Sequence, residues 1–287
     1  MLKKRLLSLL VCFALALAVP FAAFADMGPK PAVEVQTAGL SGECWVTLLA
    51  EQNSIGPWNL PGSEPPDWFA AEEHPAWEAF AAFEDADGYH FLQWQAQVKD
   101  DAPATWSYMA PKHFKILFWF PESGGYAVTE KLDRYAYSAV YRVDLSGVDP
   151  AAGEVQAVTA QKNYDYAGEA LGLAVRFVLT LAVELLIALP FGYLKRSHLR
   201  VLLITNLATQ LALNLALNLT AYYSGSLAMW VFYPLFELAV FIVEAVVFRL
   251  AFKPQAGKGH PVLYAFVANA ASYALGLWLG NLVPALF

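Results

Sequence analysis

Acidic side chains inside long apolar stretches are the residues of this sequence whose types and spacing could do chemistry. The clearest case is residues 226–252, which carry Glu237 and Glu244 among apolar side chains. Seven residues make almost two helical turns, so both carboxyls project from nearly the same face. A charged side chain in mid-bilayer costs about 2.5–3.5 kcal/mol. The pattern predicts polar neighbours, a protonated carboxyl or a water-filled cavity.

Three further apolar stretches carry polar side chains at comparable depths. A helix rises about 1.5 Å per residue, so the distance from the midpoint of a stretch gives a depth. Four side chains fall about 4–8 Å to the cytoplasmic side of the centre: Glu184, Asn206, Glu244 and Asn269. Three others fall near the centre: Gln210, Glu237 and Tyr273. We therefore predict an intramembrane polar cluster with members from all four helices: Glu184, Asn206, Gln210, Glu237, Glu244 and Asn269.

Two interpretations of this cluster remain open. In the structural one, neutral carboxyls and amides hydrogen-bond between helices and fix their register. In the functional one, they line a path or pocket for a proton, a cation or a small polar solute, as intramembrane acids often do. Arg176, in the outer half of its stretch, is expected to pair with an acid across the bundle or to extend outward.

The elements that position these residues are four predicted membrane spans. They cover residues 169–193, 199–222, 227–252 and 262–285, in a chain that is 58% hydrophobic with a mean hydropathy of +0.42. Two of the connecting regions are basic: Lys195, Arg196 and Arg200, then Arg249, Lys253 and Lys258. By the positive-inside rule these regions are cytoplasmic. The N-terminal domain and the C-terminus are then outside, and the protein is a multi-pass plasma-membrane protein in contact with lipid.

The N-terminus supports this orientation. Residues 1–25 read as a signal peptide, with basic residues at the start, an apolar run and an Ala-Phe-Ala site ending at Ala25. An uncleaved anchor is the alternative. We expect residues 26–148 to form an extracytoplasmic domain and residues 149–168, small and polar, to form a linker.

The predicted fold class is α+β, a mainly antiparallel β domain with one packed helix, followed by a four-helix transmembrane bundle. Alternation predicts a strand with Leu92, Trp94, Ala96 and Val98 on one apolar face. Residues 113–120 are apolar on both faces, as is typical of a central strand. The packed helix is expected over residues 72–83.

Charge and composition exclude several function classes. Residues 26–165 contain 21 acidic and 8 basic residues, a net charge of −13, so no nucleic-acid partner is expected. Cys44 would be the one thiol of the processed chain, which excludes a thiolate zinc cluster. No H-E-x-x-H or G-x-S-x-G motif is present, so an enzyme is not the favoured interpretation. Residues 84–88 look like half a calcium loop but are better explained as a turn, and no cofactor or metal is predicted.

Two tryptophans could contact a ligand. Trp58 and Trp68 lie in and beside a Gly/Pro-rich stretch, where an exposed ring could stack on a sugar or hold a peptide. The alternative is that both rings belong to the core.

The N-terminal region resembles an uncharacterised family of exported bacterial membrane proteins. The similar segments are residues 26–31, the Gly56-Pro57-Trp58 loop, residues 114–117 running into Phe120-Pro121, and Tyr135-Ala136-Tyr137. The resemblance covers most of residues 26–145 and implies the same architecture. The family has no assigned activity, so no catalytic residue is implied.

The function we favour from the sequence is an extracytoplasmic recognition or sensing domain anchored by a four-helix membrane module. Because no cytoplasmic domain is expected, signalling would need a membrane-protein partner. The alternative is a small transporter or channel component that uses the intramembrane Glu and Asn residues.

Overall fold

The structure is a computed structural model. It describes residues 29–40, 42–52, 65, 67, 69–99, 102–107, 109–252 and 260–282. Within these residues an α+β domain is followed by four long apolar helices, as predicted. The signal peptide predicted over residues 1–25 lies outside the described residues, and so do Trp58 and Trp68.

The described part of the N-terminal domain contains ten strands and one α-helix. The strands are β1 (Ala32–Ala38), β2 (Trp45–Ala50), β3 (His90–Gln97), β4 (Ala104–Trp106), β5 (His113–Phe120), β6 (Gly125–Thr129), β7 (Leu132–Asp133), β8 (Ser138–Asp144), β9 (Val155–Val158) and β10 (Ala160–Lys162). The helix α1 (His74–Ala82) follows a 3-10 turn at Ala71–Glu73. Pro75, in its first turn, suits a helix start because no intrahelical partner is needed there.

The strands form two sheets. One has the order β10-β8-β1-β4, and the other has the order β3-β2-β5-β6-β9, with β7 also paired to β5. Most neighbours are antiparallel, in agreement with the prediction. Two pairs, β1–β8 and β6–β9, are parallel, so both sheets are mixed.

Strand β5 is apolar on both faces because it is covered on both. Ile116 and Phe118 pack in the core between the sheets with Val33 of β1. Leu117 faces the other way and packs against Phe80 of α1. The order of layers is therefore sheet, sheet, helix, and the predicted central strand is confirmed.

The predicted apolar face of β3 is confirmed. Leu92 and Val98 are buried in the core between the sheets, and the half-buried Trp94 and Ala96 pack against the same core. Gln93 has a φ of 61°, and the register against β2 shifts at this point, which marks a bulge. Gln95 is also buried, and it donates from Nε2 to the Glu73 carbonyl at 2.7 Å.

The segment predicted as a linker, residues 149–168, belongs partly to the domain. It contains β9, which pairs with β6, and β10, which pairs with β8. Hydrogen bonding to existing sheet edges explains how this polar segment becomes ordered.

Four helices form the bundle, and each is long and apolar enough to cross a membrane. They are α2 (Tyr166–Phe191), α3 (Arg196–Ser224), α4 (Ser226–Ala251) and α5 (Pro261–Leu282). Their bounds lie within a few residues of the predicted spans. We call the end with the α3–α4 connection the near end, because it contacts the β domain, and the opposite end the far end.

The near end is held to the β domain by backbone and ring contacts. The Tyr137 backbone N–H donates to the Tyr222 carbonyl at 2.7 Å. The Tyr222 ring packs against the rings of Tyr135 and Tyr164. Gly225, the single residue between α3 and α4, has a φ of +87°, and a Cβ there would lie 2.6 Å from Tyr137 Cε1. Only glycine fits both the backbone conformation and the space.

The far end is closed by aromatic side chains. Tyr193, Phe248, Phe252 and Tyr264 form a group that we call the aromatic plug, and each is at most 1% exposed. The Phe248 and Phe252 rings are stacked with centroids 5.3 Å apart, and the Tyr193 ring lies 4.6 Å from Phe252.

Candidate functional site

A network of buried polar side chains joins all four helices. We call it the acidic network and define it as Glu184 of α2, Asn206 and Thr209 of α3, Glu244 of α4 and Asn269 of α5. Asn206 Nδ2 donates to Glu184 Oε2 at 2.5 Å. Thr209 Oγ1 lies 2.6 Å from Glu244 Oε1, and Asn269 Nδ2 donates to Glu244 Oε2 at 2.7 Å. One layer thus receives a polar group from every helix.

The two amides of this network are fixed in orientation. Asn206 Nδ2 also donates to the Leu202 carbonyl of its own helix at 3.1 Å, and Asn269 Nδ2 donates to the Ala265 carbonyl at 2.9 Å. An amide nitrogen has two hydrogens, and both are used in each case. The nitrogen and oxygen positions are therefore assigned by geometry, since a flipped amide would place oxygen against oxygen.

Three acceptors of the acidic network have no hydrogen-bond donor within the described part of the chain. They are Glu184 Oε1, Asn206 Oδ1 and Asn269 Oδ1. Glu184 is 1% exposed, Asn206 0% and Asn269 6%. The ion pairs found among the described residues all lie in the β domain, so neither Glu184 nor Glu244 has a basic side chain as a salt-bridge partner there. The network holds more acceptors than donors.

A cavity of about 70 Å³ lies nearer the β domain and contains the remaining predicted residues. Glu237 and Gln210 line it together with Arg176. Arg176 Nε donates to Asn214 Oδ1 at 2.8 Å. The sequence predicted that Arg176 pairs with an acid across the bundle or extends outward, and this hydrogen bond shows that it also binds the amide of a neighbouring helix. Neutral amides can hold a guanidinium inside a bundle by its hydrogen bonds.

A larger cleft of about 780 Å³ separates the β domain from the near end of the bundle. Arg176, Asn218 and Met229 line both the cleft and the small cavity, so the two spaces adjoin. The cleft continues between Gln36 of β1 and Asn163 beyond β10. Polar lining therefore extends from the β domain into the bundle, whereas the opposite end is filled by the aromatic plug.

The predicted cluster divides into two layers in the structure. Glu184, Asn206, Glu244 and Asn269 meet in the acidic network, and Gln210 and Glu237 line the cavity. Depth along each span was sufficient to sort them in this way. Sequence reasoning missed Thr209, although it lies three residues after Asn206 and thus on the same face.

Tyr264 was also missed. Its hydroxyl donates to the Glu184 backbone carbonyl at 3.2 Å. It links the acidic network to the aromatic plug. No pattern in the sequence distinguishes this tyrosine from the others in the spans.

The other candidates give no site within the described residues. Trp58 and Trp68 lie outside them, so their predicted ligand contacts stay a prediction. No group of three His, Cys, Asp or Glu side chains in the described ranges is placed to hold a metal ion. Cys44 is buried, and burial raises the pKa of its thiol to about 12.

The acidic turn at residues 84–88 is occupied by a lysine. Lys115 Nζ donates to both oxygens of Asp85, at 2.7 and 3.0 Å, and lies 2.8 Å from Asp87 Oδ2. Asp85 Oδ2 also accepts from the backbone N–H groups of Asp87 and Tyr89. The hydrogen bond and charge of Lys115 lower the pKa of Asp87. These carboxylates therefore close a turn rather than offer a calcium loop.

Comparison of the chain with family models, with curated proteins and with solved structures finds no match.

Proposed function

We propose that this protein is a small transporter or channel component whose helix bundle takes up a proton or a small cation from the side of the β domain. The single observation that carries the proposal is the position of Glu237. It lines a cavity that adjoins the cleft under the β domain and lies between that cleft and the acidic network. A carboxyl at this position can release a proton or a bound cation into the cleft and take up another from it.

The cavity is of a suitable size for such exchange. Water occupies about 30 Å³ per molecule in the liquid, so a cavity of about 70 Å³ holds roughly two waters. Its lining includes Arg176, Gln210 and Glu237, which supply the several polar partners that buried water needs. Two waters are enough to pass a proton or to replace part of the hydration shell of a cation.

The acidic network provides the second reason. Two carboxyls with no basic partner among the described residues need a positive species nearby, because burying an uncompensated charge is costly. A proton or a bound cation fills this role. The aromatic plug then acts as the closed barrier of the state described, and the near cavity is the entrance towards the network.

The orientation in the membrane is part of the proposal. The apolar start of the sequence and the basic connections at the far end both support an outside β domain. The resemblance to exported bacterial membrane proteins supports the same arrangement. Uptake would then begin outside the cytoplasm, beneath the β domain.

Two single-cysteine variants test the orientation. Ser123 lies in the turn between β5 and β6, and Ser197 lies at the far end of α3. In a background with Cys12→Ala and Cys44→Ala, a membrane-impermeant maleimide should label Ser123→Cys in intact cells and Ser197→Cys only after permeabilisation. The reverse pattern would contradict the proposed topology.

The transport proposal is tested in liposomes containing the purified full chain. An imposed pH gradient or cation gradient should dissipate faster with the wild type than with empty liposomes. Glu237→Gln should lower the rate at least tenfold, because the amide keeps the shape but carries no exchangeable charge. Glu154→Gln, which changes an exposed acid of the β domain, is the matched control.

Retention of the full rate by a folded Glu237→Gln protein would overturn the role of Glu237. Rates equal to those of empty liposomes for the wild type, under proton and alkali-cation gradients, would overturn the transport function itself.

A recognition role for the β domain is the second candidate, and the cleft favours it. Its volume of about 780 Å³ lies in the range of small-molecule sites. Polar groups and tyrosines from both parts of the chain line it, including Gln36, Asn163 and Tyr164. If this candidate is correct, Glu237→Gln should leave binding of small polar solutes unchanged. Asn163→Leu, and Trp58→Ala or Trp68→Ala as predicted from the sequence, should weaken it.

A further inference from the structure

We propose that the acidic network is a binding site for one alkali cation, coordinated by Glu184 Oε1, Asn206 Oδ1 and Asn269 Oδ1. This inference rests on the proposed function and deepens it by naming the class of ion and the residues that hold it. Asn206 is bonded to Glu184 and Asn269 is bonded to Glu244. Thr209 joins these two groups, because its Oγ1 lies 3.3 Å from the Asn206 backbone carbonyl and 2.6 Å from Glu244 Oε1. All are oxygens, the ligands that hard cations prefer.

The first argument is the count of hydrogen-bond donors. Both hydrogens of Asn206 Nδ2 and both of Asn269 Nδ2 are already donated. Thr209 has a single hydroxyl hydrogen, and the Tyr264 hydroxyl donates to a backbone carbonyl. The named donors of the network are thus all in use. Three buried acceptors are left without a donor in the described residues, and a buried acceptor without a donor destabilises the fold.

The second argument is the charge of the network, which follows from Thr209. Its Oγ1 lies 2.9 Å from the Thr205 carbonyl and 2.6 Å from Glu244 Oε1. When the one hydroxyl hydrogen goes to Thr205, as is common for threonine within a helix, the hydrogen between Thr209 and Glu244 must come from the carboxyl. Glu244 is then neutral. Glu184 remains as the one carboxylate of the network.

One carboxylate and two amide oxygens suit a monovalent cation. A proton on Glu184 Oε1 would become one donor and could serve only one of the two amide oxygens. A bound cation contacts all three acceptors at once. A divalent ion would leave an unbalanced positive charge in a low-dielectric layer, which is costly.

The route to this site is through the near cavity. Gln210 lines the cavity and lies four residues, about one helical turn, from Asn206. Glu237 lies about two turns from Glu244 on the same helix, at the cavity. On the other side, the Tyr264 hydroxyl of the aromatic plug donates to the Glu184 carbonyl, and the Phe248 ring packs against the Tyr264 ring.

The experiment is a cation series on the full chain in detergent. The melting temperature of the bundle is followed by helical circular dichroism in sodium, potassium, lithium or choline chloride at equal ionic strength. A ligand that binds only the folded state raises the melting temperature. We expect a rise of about 5 °C in one or more alkali salts over choline, at concentrations roughly 100-fold above the Kd.

Glu184→Gln should abolish this alkali-specific rise while keeping the helical spectrum, because the amide retains the shape of the carboxyl without its charge. Thr220→Val is the matched control. Thr220 lies on α3 outside the network and bonds only its own helix, at the Ala216 carbonyl. This variant should keep the full rise.

Equal melting temperatures of the wild type in all four salts would overturn the cation site, as would an undiminished rise in folded Glu184→Gln. If Glu184→Gln does not fold, equilibrium dialysis of the wild type with radioactive sodium or potassium decides, and less than half an ion bound per chain overturns the proposal. Proton flux without cation binding would remove this inference and leave the transport function standing. Cation binding without any flux would do the opposite.

Discussion

Carboxyl groups are buried in both parts of this molecule, and the two parts neutralise them differently. In the β domain, the Asp85 side chain is 3% exposed and is bound by Lys115, whose side chain is 6% exposed. In the bundle, Glu184 and Glu244 are equally buried, but their hydrogen-bond partners are two asparagines and a threonine. The Asp85 site contains a lysine as its own cation, whereas no basic side chain forms an ion pair with Glu184 or Glu244 among the described residues.

The difference shows how burial alone should be interpreted. A buried carboxylate with a buried lysine is complete without a ligand, so it indicates a structural role. A buried carboxyl surrounded only by amides and hydroxyls has its hydrogen bonds but lacks a counter-charge. This lack of a counter-charge, rather than the acidity, is the reason for proposing that a proton or cation binds in the bundle.

The largest expected effect comes from removing the internal cation of the β domain. Lys115→Met leaves Asp85 buried without its partner and should destabilise the domain by about 3–5 kcal/mol. The denaturant midpoint of tryptophan fluorescence measures it, because seven of the nine tryptophans lie before residue 120. Lys131→Met is the control. Its side chain is 58% exposed and its Nζ is 3.9 Å from Asp87, so less than about 1 kcal/mol should be lost. Similar losses in both variants would show that Asp85 does not depend on Lys115.

The second effect separates the two regions. Gly225→Ala adds a Cβ against the Tyr137 ring and forces alanine to a φ of +87°, which together should cost about 1–3 kcal/mol. Hydrogen exchange at the Tyr137 backbone N–H, which donates to Tyr222, should become faster. Gly124→Ala controls for the backbone, since Gly124 has a φ of +71° with no atom within 4 Å of the added Cβ.

A second substitution sharpens the test of Gly225. Tyr137→Ala in the Gly225→Ala background removes the clash and should restore part of the lost stability, without restoring the ring contact. Exchange at this N–H that stays at the wild-type rate in Gly225→Ala would mean that the docking does not depend on this glycine.

A smaller effect is expected when the acids of the bundle are neutralised. Glu184→Gln and Glu244→Gln, measured in choline chloride, should each change bundle stability by less than about 1 kcal/mol, because amides preserve the shape and remove an uncompensated group. Helical circular dichroism during thermal unfolding measures this change. A loss of stability as large as that expected for Lys115→Met would show that the bundle carboxyls are structural groups like Asp85. It would contradict the difference drawn between the two parts of the molecule.

The smallest effect is the pH dependence of the β domain. Burial works to lower the pKa of Lys115, but hydrogen bonds and the charges of Asp85 and Asp87 outweigh it and the pKa is raised. A raised pKa contributes stability that is complete below the unfolded value of 10.5 and is lost as pH rises through the folded value. For Asp87, whose pKa is lowered, the contribution is present above 3.8 and is lost as pH falls.

The fluorescence midpoint as a function of pH tests this window. The wild type should lose stability at both extremes, and Lys115→Met should lose less on the alkaline side. Tyr141 acts in the same direction, since burial raises its pKa to about 12, so Tyr141→Phe is measured in parallel. An alkaline loss unchanged in Lys115→Met would assign it to groups other than Lys115.

Local sequence patterns were sufficient to predict the four helices and the depth of the polar residues along them. Hydropathy located the four helices, and the rise per residue placed Glu184 level with Asn206 and Glu244 level with Asn269 before any contact was known. This works because a helix that crosses a bilayer has few options for tilt and offset. Polar groups at equal depth have only one another as partners.

Contacts between distant segments could not be predicted in this way. The bulge at Gln93 depends on the register against β2, and the parallel pairing of β1 with β8 joins segments about 100 residues apart. The hydrogen bond from Arg176 to Asn214 depends on how the helices are rotated. Each of these contacts is decided by tertiary packing, which produces no repeating pattern of residue types in the sequence.

The contact between Tyr137 and Tyr222 has a consequence for how the chain is assembled. Domains fold as units and the N-terminal one is made first, so the surface around Tyr137 can exist before α3 is complete. Helices α3 and α4 are joined by Gly225 alone, and this short connection makes them insert as one hairpin. The folded β domain then provides the surface on which the α3–α4 connection docks. Docking at Gly225 is therefore a late step in the folding of the chain. A chain with a misplaced hairpin would leave Tyr222 exposed to quality-control proteases.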